Sequence, residues 1–380
     1  MRIGIVSGEF PPMTGGVGAF SQILARRMQG AGHTIEIFSD RRARSDDLSL
    51  TGAADSWRAP ALAAIRRWSG RLCLDVVNLQ FQTAAFGMSP WVHLLPQALH
   101  PTPVVTTFHD LRAPWLFPKA GRLRQASVTW LARHSAAAIF TNQEDYDRLR
   151  GKAQPCELIP IGSNILARRP ADFSAMDWRR REGVNDGETL LSWFGLANHS
   201  KGLGSLLRTV ARLRDSGRPL RLVIVGGGAG DSDPGNITFG KRLDDLVHRL
   251  PLDEALLRTG FLSSEEVAAW LWSCDLAVLP FVDGASFRRG SLMAAIHHGC
   301  AILTTQPEVE IPDFVHGQNM WLVPAGDDPA LERALAMLAD SPVLRDTLRC
   351  GAMRLAATFD WGVIAGATLG LFRNVVEQRT

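Results

Sequence analysis

Short apolar runs alternate with helical stretches along nearly the whole chain, and this alternation is the strongest constraint on its fold. Such runs, bounded by turn residues, are typical of strands buried on both faces of a parallel sheet. The predicted strands are Ile3–Ser7, Thr34–Ser39, Val76–Gln80, Val104–Phe108, Ala138–Thr141, Glu157–Pro160, Leu190–Phe194, Leu220–Val225, Leu256–Thr259, Leu276–Pro280, Ala301–Thr304 and Met320–Val323. The predicted helices are Val17–Gln29, Ala61–Gly70, Leu123–His134, Gly204–Asp215, Lys241–His248, Ser264–Ser273, Gly290–His298 and Ala330–Leu338. Because hairpin signals are few, the pattern predicts an α/β fold of doubly wound parallel sheets.

The length of the chain predicts two such sheets. At 380 residues, it exceeds the size at which one hydrophobic core usually keeps growing. Basic, polar and proline residues crowd the segment Ala167–Asp186, where periodicity fades, so we place the boundary there. We therefore predict two Rossmann-like domains, residues 1–168 and 169–360, facing each other across a cleft at the carboxyl ends of their strands, where ligands of such sheets bind.

The composition is that of an ordinary soluble protein, and it favours a cytoplasmic location. Apolar residues make up 46% of the chain and charged residues 21%. The five cysteines lie far apart and show no zinc-ligand spacing, which fits a reducing compartment. We expect neither a signal peptide nor a transmembrane segment, because no apolar run has the required length.

The charge is unevenly distributed along the chain. The net charge of +3 gives no indication of nucleic-acid binding, but residues 1–165 carry 18 Lys and Arg against 12 Asp and Glu. Either the N-terminal half binds a partner that is more anionic than the partner of the C-terminal half, or the asymmetry is chance variation on solvated faces.

The segment from Asp283 to Thr305 places Arg288 and Arg289 on a glycine-bounded turn before an apolar helix. A helix N-terminus offers unpaired N–H groups and a partial positive charge, and a guanidinium adds charge-assisted hydrogen bonds to oxyanions. The pattern predicts a phosphate site.

Two further loops follow predicted strands and suit an anion. In the first, Gly15 and Gly16 precede a helix, so the backbone can approach an oxyanion there; alternatively, these glycines only make the tight turn. In the second, Lys201 precedes Gly202 and would present a point charge to a diphosphate.

A third glycine-rich run, Val223–Gly230, does not predict a dinucleotide site. Asp231 stands where the third glycine of the dinucleotide motif belongs, and no ribose-binding acid follows at the usual distance, so NAD binding is disfavoured. The residues Asp231–Asp233 are interpreted as a solvated loop, and we assign no metal.

His109 and Asp110 directly follow a predicted strand at its carboxyl end. Buried histidines are more often satisfied structural groups, but a polar pair that ends an apolar strand is poorly explained by packing. We predict a catalytic role for both residues.

In their order and spacing, these motifs resemble the GT-B glycosyltransferases, specifically the large retaining group that uses nucleotide sugars. The resembling segments are Gly15–Gly18, Thr106–Asp110, Ile159–Ser163, Lys201–Gly202, Val225–Gly228, Gly260–Leu262, Glu310–Pro312, Gly317–Asn319 and Val323–Pro324. They span almost the whole chain. The resemblance also implies that a last helix, residues 361–380, packs back on the first domain.

The resemblance implies a hexosyltransferase that retains the anomeric configuration and needs no metal, cofactor or protein nucleophile. His109 would lie beside the transferred sugar, and the loop Gly260–Leu262 would touch the base. The predicted donor-binding residues are Gly15, Gly16, Lys201, Gly202, Gly228, Phe261, Leu262, Asp283, Ser286, Arg288, Arg289, Ser291 and Leu292. Charge on the leaving diphosphate would be stabilised by Lys and Arg.

The chain departs from this family at the donor segment. The family usually carries two glutamates there, and the aligned residues are Ser286 and Ala294. The family's arginine after the first strand of the second domain is Leu196 in this chain. We infer that Arg288 or Arg289 supplies the missing charge, and that loss of the acid at Ala294 relaxes the choice of base or sugar and admits a deoxyribose donor.

The acceptor side is predicted from basic and aromatic residues of the first domain, Trp115, Lys119 and Arg122. The acceptor is an unidentified group, anionic or lipid-linked. The stretch Ala61–Leu72 has amphipathic spacing and offers either a peripheral membrane contact on the inner face of the membrane or an ordinary solvated helix.

Two other functions stay open. The residues Ser286 and Ala294, which replace the two glutamates, also suit a catalytically silent partner subunit that binds nucleotide sugars. A sugar-nucleotide epimerase would want carboxylates in the cleft, and few are visible in the sequence.

Overall fold

The computed structural model describes residues 1–13, 15–111, 121–152, 155–195, 198–226, 234–252 and 254–378. The chain forms two compact units, Met1–Gly162 with Asp360–Thr380, and Ser163–Phe359. Each unit has its own sheet and core. The chain passes between the units at 162/163 and 359/360, where the sequence placed the boundaries at 168/169 and 360/361.

The first unit is built around a seven-stranded parallel sheet with the strand order β3-β2-β1-β4-β5-β6-β7. Its strands are β1 (Arg2–Ser7), β2 (Thr34–Asp40), β3 (Ser49–Ala54), β4 (Val76–Gln82), β5 (Val104–Asp110), β6 (Ala137–Phe140) and β7 (Cys156–Leu158). Its helices among the described residues are α1 (Gly16–Gly30), α2 (Ala59–Leu72), α3 (Leu95–Ala98), α4 (Gly121–His134) and α5 (Gln143–Leu149). A row of fully buried rings, Phe81, Phe108 and Phe140, crosses the middle of this sheet.

The last helix of the chain belongs to the first unit. Helix α13 (Trp361–Glu377) packs against α1, with the rings of Trp361 and Phe20 5.1 Å apart. Gly162 leaves room for the Trp361 indole, because a Cβ at this position would overlap it. The stretch Pro342–Glu377 has the length and composition of a membrane span, but half of its most apolar window is buried inside the protein, as in the core helix of a globular unit.

The second unit has a six-stranded parallel sheet with the strand order β10-β9-β8-β11-β12-β13. Its strands are β8 (Thr189–Gly195), β9 (Leu220–Gly226), β10 (Leu256–Gly260), β11 (Leu276–Leu279), β12 (Ile302–Thr305) and β13 (Trp321–Val323). Its helices among the described residues are α6 (Ala175–Arg181), α7 (Leu203–Asp215), α8 (Pro234–Arg249), α9 (Ser264–Ser273), α10 (Gly290–His297), α11 (Asp328–Asp340) and α12 (Pro342–Ala356).

The prediction of an α/β fold with two Rossmann-like parallel sheets is confirmed. The sequence reading missed β3, whose residues Ser49–Ala54 include polar side chains and a glycine, because this strand lies at the edge of its sheet and is mostly half-exposed. It also missed α6, which lies inside the segment interpreted as a linker. That helix packs on α9 through Trp178 and Trp270, whose rings are 5.9 Å apart.

Candidate functional site

The carboxyl ends of β8 and β11 carry two loops that are joined to each other. The amide of Val282 donates to the carbonyl of Ser200 over 2.9 Å. Gly202 has a φ of +64°, and a Cβ there would overlap the carbonyl oxygen of Pro280. Only glycine suits both demands, so Gly202 sets the close approach of the loops.

Arg289 is held between these loops. Its guanidinium donates to the hydroxyl of Ser200 over 3.0 Å, pairs with the carboxylate of Asp283, and lies over the ring of Phe281 at 4.9 Å. Because Phe281 is fully buried, its ring is held in place and limits the movement of the guanidinium that stacks on it. The structure thus brings two predicted residues, Asp283 and Arg289, into direct contact.

Lys201 lies beside this arginine. Burial of its ammonium group, together with the positive charge of Arg289, lowers the pKa of Lys201 to about 8. Its Nζ atom packs against Gly195, where a Cβ would overlap it, and lies 5.7 Å from the centre of the Trp193 ring. Two cations crowded in this way, with one of them poorly solvated, form a place where an added anion gains electrostatic energy.

The turn before α10 is anchored on its other side. Phe287 packs between the rings of Phe314 and Phe359, at 4.7 and 4.6 Å. Gly284 has a φ of +80°, and a Cβ there would lie 2.7 Å from the carbonyl oxygen of Gln306. The backbone amide of Arg289 donates to the carbonyl of Ser286, which closes the turn. Arg288 follows Phe287 on this turn and is half-buried.

The first turn of α10 contains Ser291 and Leu292, which are both buried. The hydroxyl of Ser291 is one of the buried side-chain oxygens of the described residues for which no hydrogen bond forms within the protein. Ala294, which aligns with one of the family's glutamates, is also fully buried, so its methyl group belongs to the core of the unit.

The loop after β10 presents Phe261 to solvent. Its side chain is 93% exposed, whereas Leu262 is half-buried near Trp178 and Trp270. A large exposed aromatic side chain on a loop suits the stacking of a planar ligand. Gly228 and Leu196 lie outside the described residues, so their predicted roles stay predictions.

In the first unit, the N-terminus of α1 is taken by a carboxylate of the chain itself. Glu9 accepts hydrogen bonds from the amides of Val17, at 3.0 Å, and Gly18, at 3.2 Å. A Cβ at Gly15 would overlap this carboxylate, whereas a Cβ at Gly16 would meet open space. Burial raises the pKa of Glu9, against the two amide hydrogen bonds that lower it. A diphosphate that bound at Gly15 and Gly16 would therefore compete with the Glu9 carboxylate for these amides.

His109 lies at the carboxyl end of β5 and is buried. Its Nε2 atom lies 2.7 Å from Oε1 of Gln80, a residue of the neighbouring strand β4. The Phe20 ring packs edge-on against the imidazole with centroids 4.8 Å apart. Burial lowers the pKa of His109 to about 3, so the ring is neutral at physiological pH.

The contact of the His109 Nε2 atom is with Gln80, and the predicted catalytic role of Asp110 stays a prediction. Successive residues of a strand point to opposite faces, and Asp110 is half-buried at the end of β5. Sequence reasoning missed Glu9, Asn78 and Gln80. For Glu9 and Gln80, the available signal was polar residues at or near the carboxyl ends of β1 and β4, where ligands of parallel sheets bind, whereas Asn78 lies in the middle of β4.

The predicted acceptor residues Trp115 and Lys119 lie outside the described residues, as does the side chain of Arg122. On α2, the indole of Trp68 faces the core, where it packs on Phe38 and donates to the hydroxyl of Thr51 over 2.9 Å. The amphipathic pattern of this helix therefore includes core packing, and its exposed side carries Arg66 and Arg67.

Within the described ranges, no cluster of three or more His, Cys, Asp or Glu side chains has the arrangement of a metal site. Near the carboxyl ends of β8 and β11, the groups that could bind an anion are the side chains of Lys201 and Arg289.

Comparison with known proteins assigns both units to one class. Residues 14–165 match the model of Glycosyltransferase Family 4, and residues 188–341 match that of Glycosyl transferases group 1. The glycogen synthase of Mycobacterium tuberculosis is 24% identical over 98% of this chain and 94% of its own length.

Two solved structures share the fold over essentially their full lengths. Sucrose-phosphate synthase from Thermosynechococcus elongatus has a TM-score of 0.79 at 18% identity and covers 100% of both chains. The Anabaena protein HepE in complex with UDP has a TM-score of 0.79 at 16% identity, covering 98% of this chain and 100% of its own. With both halves of the chain matched in order, the protein belongs to the GT-B glycosyltransferases and is an enzyme of the hexosyltransferase type.

Proposed function

We propose that this protein transfers a hexosyl group from a nucleotide diphosphate sugar to an acceptor, with retention of anomeric configuration and without a metal cofactor. The observation that carries the proposal is the pair of cations Lys201 and Arg289 at the carboxyl ends of β8 and β11. Diphosphate is the dianionic part of such a donor, and the solved structure of HepE is a complex with UDP.

The leaving group explains why cations are needed. When the bond from the anomeric carbon to the diphosphate breaks, negative charge grows on the phosphate oxygens, and nearby Lys and Arg stabilise it more in the transition state than in the ground state. Arg289 provides a planar, bidentate guanidinium, and Lys201 provides a point charge that an anion makes easier to protonate. The two side chains thus take the place that a divalent cation holds in other transferases.

The donor base is proposed to stack on Phe261, the exposed side chain after β10. Because Ala294 is a buried methyl group, the acid that reads the ribose in related enzymes has no counterpart at this position. We propose that the site therefore accepts deoxyribose donors, such as dTDP-sugars. Thermal shifts with a donor panel test this, and binding of ribonucleotide sugars alone removes it.

The acceptor is proposed to be an anionic or lipid-linked group that meets the first unit, on the cytoplasmic side of the membrane. The exposed Arg66 and Arg67 of α2 and the excess of basic residues over residues 1–165 favour such a partner. Co-sedimentation with phosphatidylglycerol vesicles at low salt tests membrane contact, and unchanged sedimentation counts against it.

A catalytically silent nucleotide-sugar-binding subunit is the second candidate, favoured by the substitutions Ser286 and Ala294 in the donor segment. The two functions are separated by incubating the protein with UDP-, GDP-, ADP- and dTDP-sugars and following slow release of the nucleoside diphosphate. A transferase slowly hydrolyses its donor by transferring the sugar to water. NMR of the released sugar then shows whether its anomeric configuration is that of the donor. Binding with no release by any donor supports the silent subunit.

A further inference from the structure

We infer that Gln80 is a positioning residue: with Asn78, it fixes the tautomer of His109, so that the imidazole proton stays on Nε2 and the lone pair on Nδ1 is available during glycosyl transfer. This inference rests on the proposed function for its catalytic part. Its structural part, the tautomer, is independent of that function.

The first step of the argument is the orientation of Asn78. Its Nδ2 atom lies 3.0 Å from the carbonyl oxygen of Val105 and 3.0 Å from the hydroxyl of Thr107. A backbone carbonyl only accepts hydrogen bonds, so the NH₂ end of the Asn78 amide must face β5. Both of its protons are then used, and its Oδ1 atom is left as an acceptor.

The second step transmits this direction to Gln80. The NH₂ group of Gln80 donates to Oδ1 of Asn78, two residues earlier on the same face of β4. The other end of the Gln80 amide is therefore its carbonyl oxygen, Oε1, which faces the imidazole at 2.7 Å from Nε2. An amide flip at Gln80 would set two acceptors against each other at one end and is excluded by the anchored asparagine.

The third step fixes the proton on the imidazole. Because Oε1 only accepts, Nε2 of His109 must donate, and a neutral imidazole carries only one N–H. The backbone carbonyl of Val105 thus determines the tautomer of a ring on the same strand through two side-chain amides. Nδ1 is left as the acceptor atom of the ring.

We call the hydrogen-bond chain from Asn78 through Gln80 to His109 the relay, and its side chains are buried. Asn78 and Gln80 are both 0% exposed, and along β4 they alternate with the apolar residues Val77, Leu79 and Phe81. Buried amides are costly unless hydrogen-bonded, and apolar side chains would pack this position without that cost. The relay ends on His109, a side chain of β5 for which we predict a catalytic role.

A fixed neutral tautomer suits glycosyl transfer. The sugar ring acquires positive charge in an oxocarbenium-like transition state, and an imidazolium beside it would oppose that charge. A neutral ring with a lone pair on Nδ1 instead accepts a hydrogen bond from a sugar hydroxyl and orients it. Loss of the fixed tautomer would leave donor binding largely intact and would slow the chemical step.

The tautomer is measured first, without any substrate. Protein labelled with ¹⁵N-histidine is studied by long-range ¹H–¹⁵N correlation at pH 7, and the His109 signals are identified by their loss in His109→Gln. We expect a protonated Nε2 and an unprotonated Nδ1 in the wild-type protein, and a mixture of tautomers in Gln80→Met and in Asn78→Leu. Gln82→Met, on the same strand but outside the relay, is the matched control and should leave the signals unchanged.

The catalytic part is measured with the donor found in the hydrolysis panel. In Gln80→Met, kcat should fall about tenfold, the size expected for one lost hydrogen bond, while the KM for the donor stays within about twofold. A wild-type proton on Nδ1, an unchanged tautomer in both variants, or a changed tautomer with unchanged kcat overturns the inference. If no donor reacts, the proposed function fails, whereas the NMR result still decides the tautomer.

Discussion

The ammonium group of Lys201 is held within electrostatic reach of the guanidinium of Arg289, and burial together with that charge lowers its pKa to about 8. The loop that carries Lys201 also supplies Ser200, which accepts from Arg289 over 3.0 Å. Because Arg289 also pairs with Asp283, one carboxylate faces two cations, and the remaining positive charge favours an anionic partner.

This relationship predicts that Lys201→Met stabilises the ligand-free protein. The folded-state pKa of about 8 lies below the 10.5 of an ordinary lysine, so unfolding takes up a proton between these values. Wild-type stability should therefore rise as the pH increases from about 8 to 10.5, and the penalty is complete at pH 7. Urea unfolding at pH 7 should give a gain of about 1–3 kcal/mol for Lys201→Met, with a flatter pH profile. A destabilised variant with the wild-type pH profile would contradict this.

Binding of a nucleoside diphosphate should take up a proton at pH 8.5. An anion beside Lys201 raises its pKa again, so a site that is partly deprotonated when empty becomes protonated when filled. Calorimetric titrations in buffers of different ionisation enthalpy measure the number of protons taken up. We expect a value approaching one in the wild-type protein and near zero in Lys201→Arg, which stays charged throughout.

Gly195→Ala should displace Lys201. Gly195 has a φ of +130°, and the added Cβ would overlap the Nζ atom of Lys201. Gly187→Ala is the matched control, because Gly187 also has a positive φ, +92°, but faces open space. Both variants lose about 1 kcal/mol or more to backbone strain. Only Gly195→Ala should also weaken diphosphate binding, about tenfold or more, and equal affinities in the two variants would argue against a role for the Lys201 position.

Alanine variants of Gly15 and Gly16 distinguish a structural role of this turn from a role in donor binding. Gly15→Ala would press on the Glu9 carboxylate and should destabilise the protein by about 1–3 kcal/mol, whereas Gly16→Ala meets open space and should leave the melting temperature nearly unchanged. If the donor contacts this turn, Gly16→Ala raises the donor Kd without loss of stability. An unchanged Kd would assign the turn to Glu9 alone.

The sheet architecture could be predicted because buried parallel strands consist of short runs of apolar residues, which are visible in the sequence. The ends of α9, Ser264 and Ser273, coincide with the prediction, since a Ser263–Glu266 capping box marks its start. The edge strand β3 and the helix α6 could not be predicted in the same way. The residues of β3 are mostly half-exposed, and α6 has no buried residue and contacts its neighbouring helix through the half-buried Trp178, so it shows no long apolar period.

The candidate site was only partly predictable. The sequence pointed to Lys201 and His109 because they follow apolar strands, and to Arg289 because it lies on a glycine-bounded turn before an apolar helix. It did not reveal that Glu9 caps α1, since Glu9 lies eight and nine residues from its amide partners, or that Gln80 binds His109, since the two residues lie on different strands. The contact between Gln80 and His109 depends on β4 lying beside β5, which no local pattern states.

The most direct test of the central claim, that positive charge on the turn before α10 binds the donor diphosphate, is calorimetric titration of Arg288→Ala and Arg289→Ala. The titrants are UDP, GDP, ADP and dTDP, and the control is Arg212→Ala, a surface arginine of the same unit that pairs with Glu332. At least one nucleotide should bind the wild-type protein and the control equally well. Its affinity should fall at least tenfold in Arg289→Ala, with donor turnover falling in parallel. If no nucleotide binds, or if both variants keep wild-type affinity and turnover, the account is contradicted.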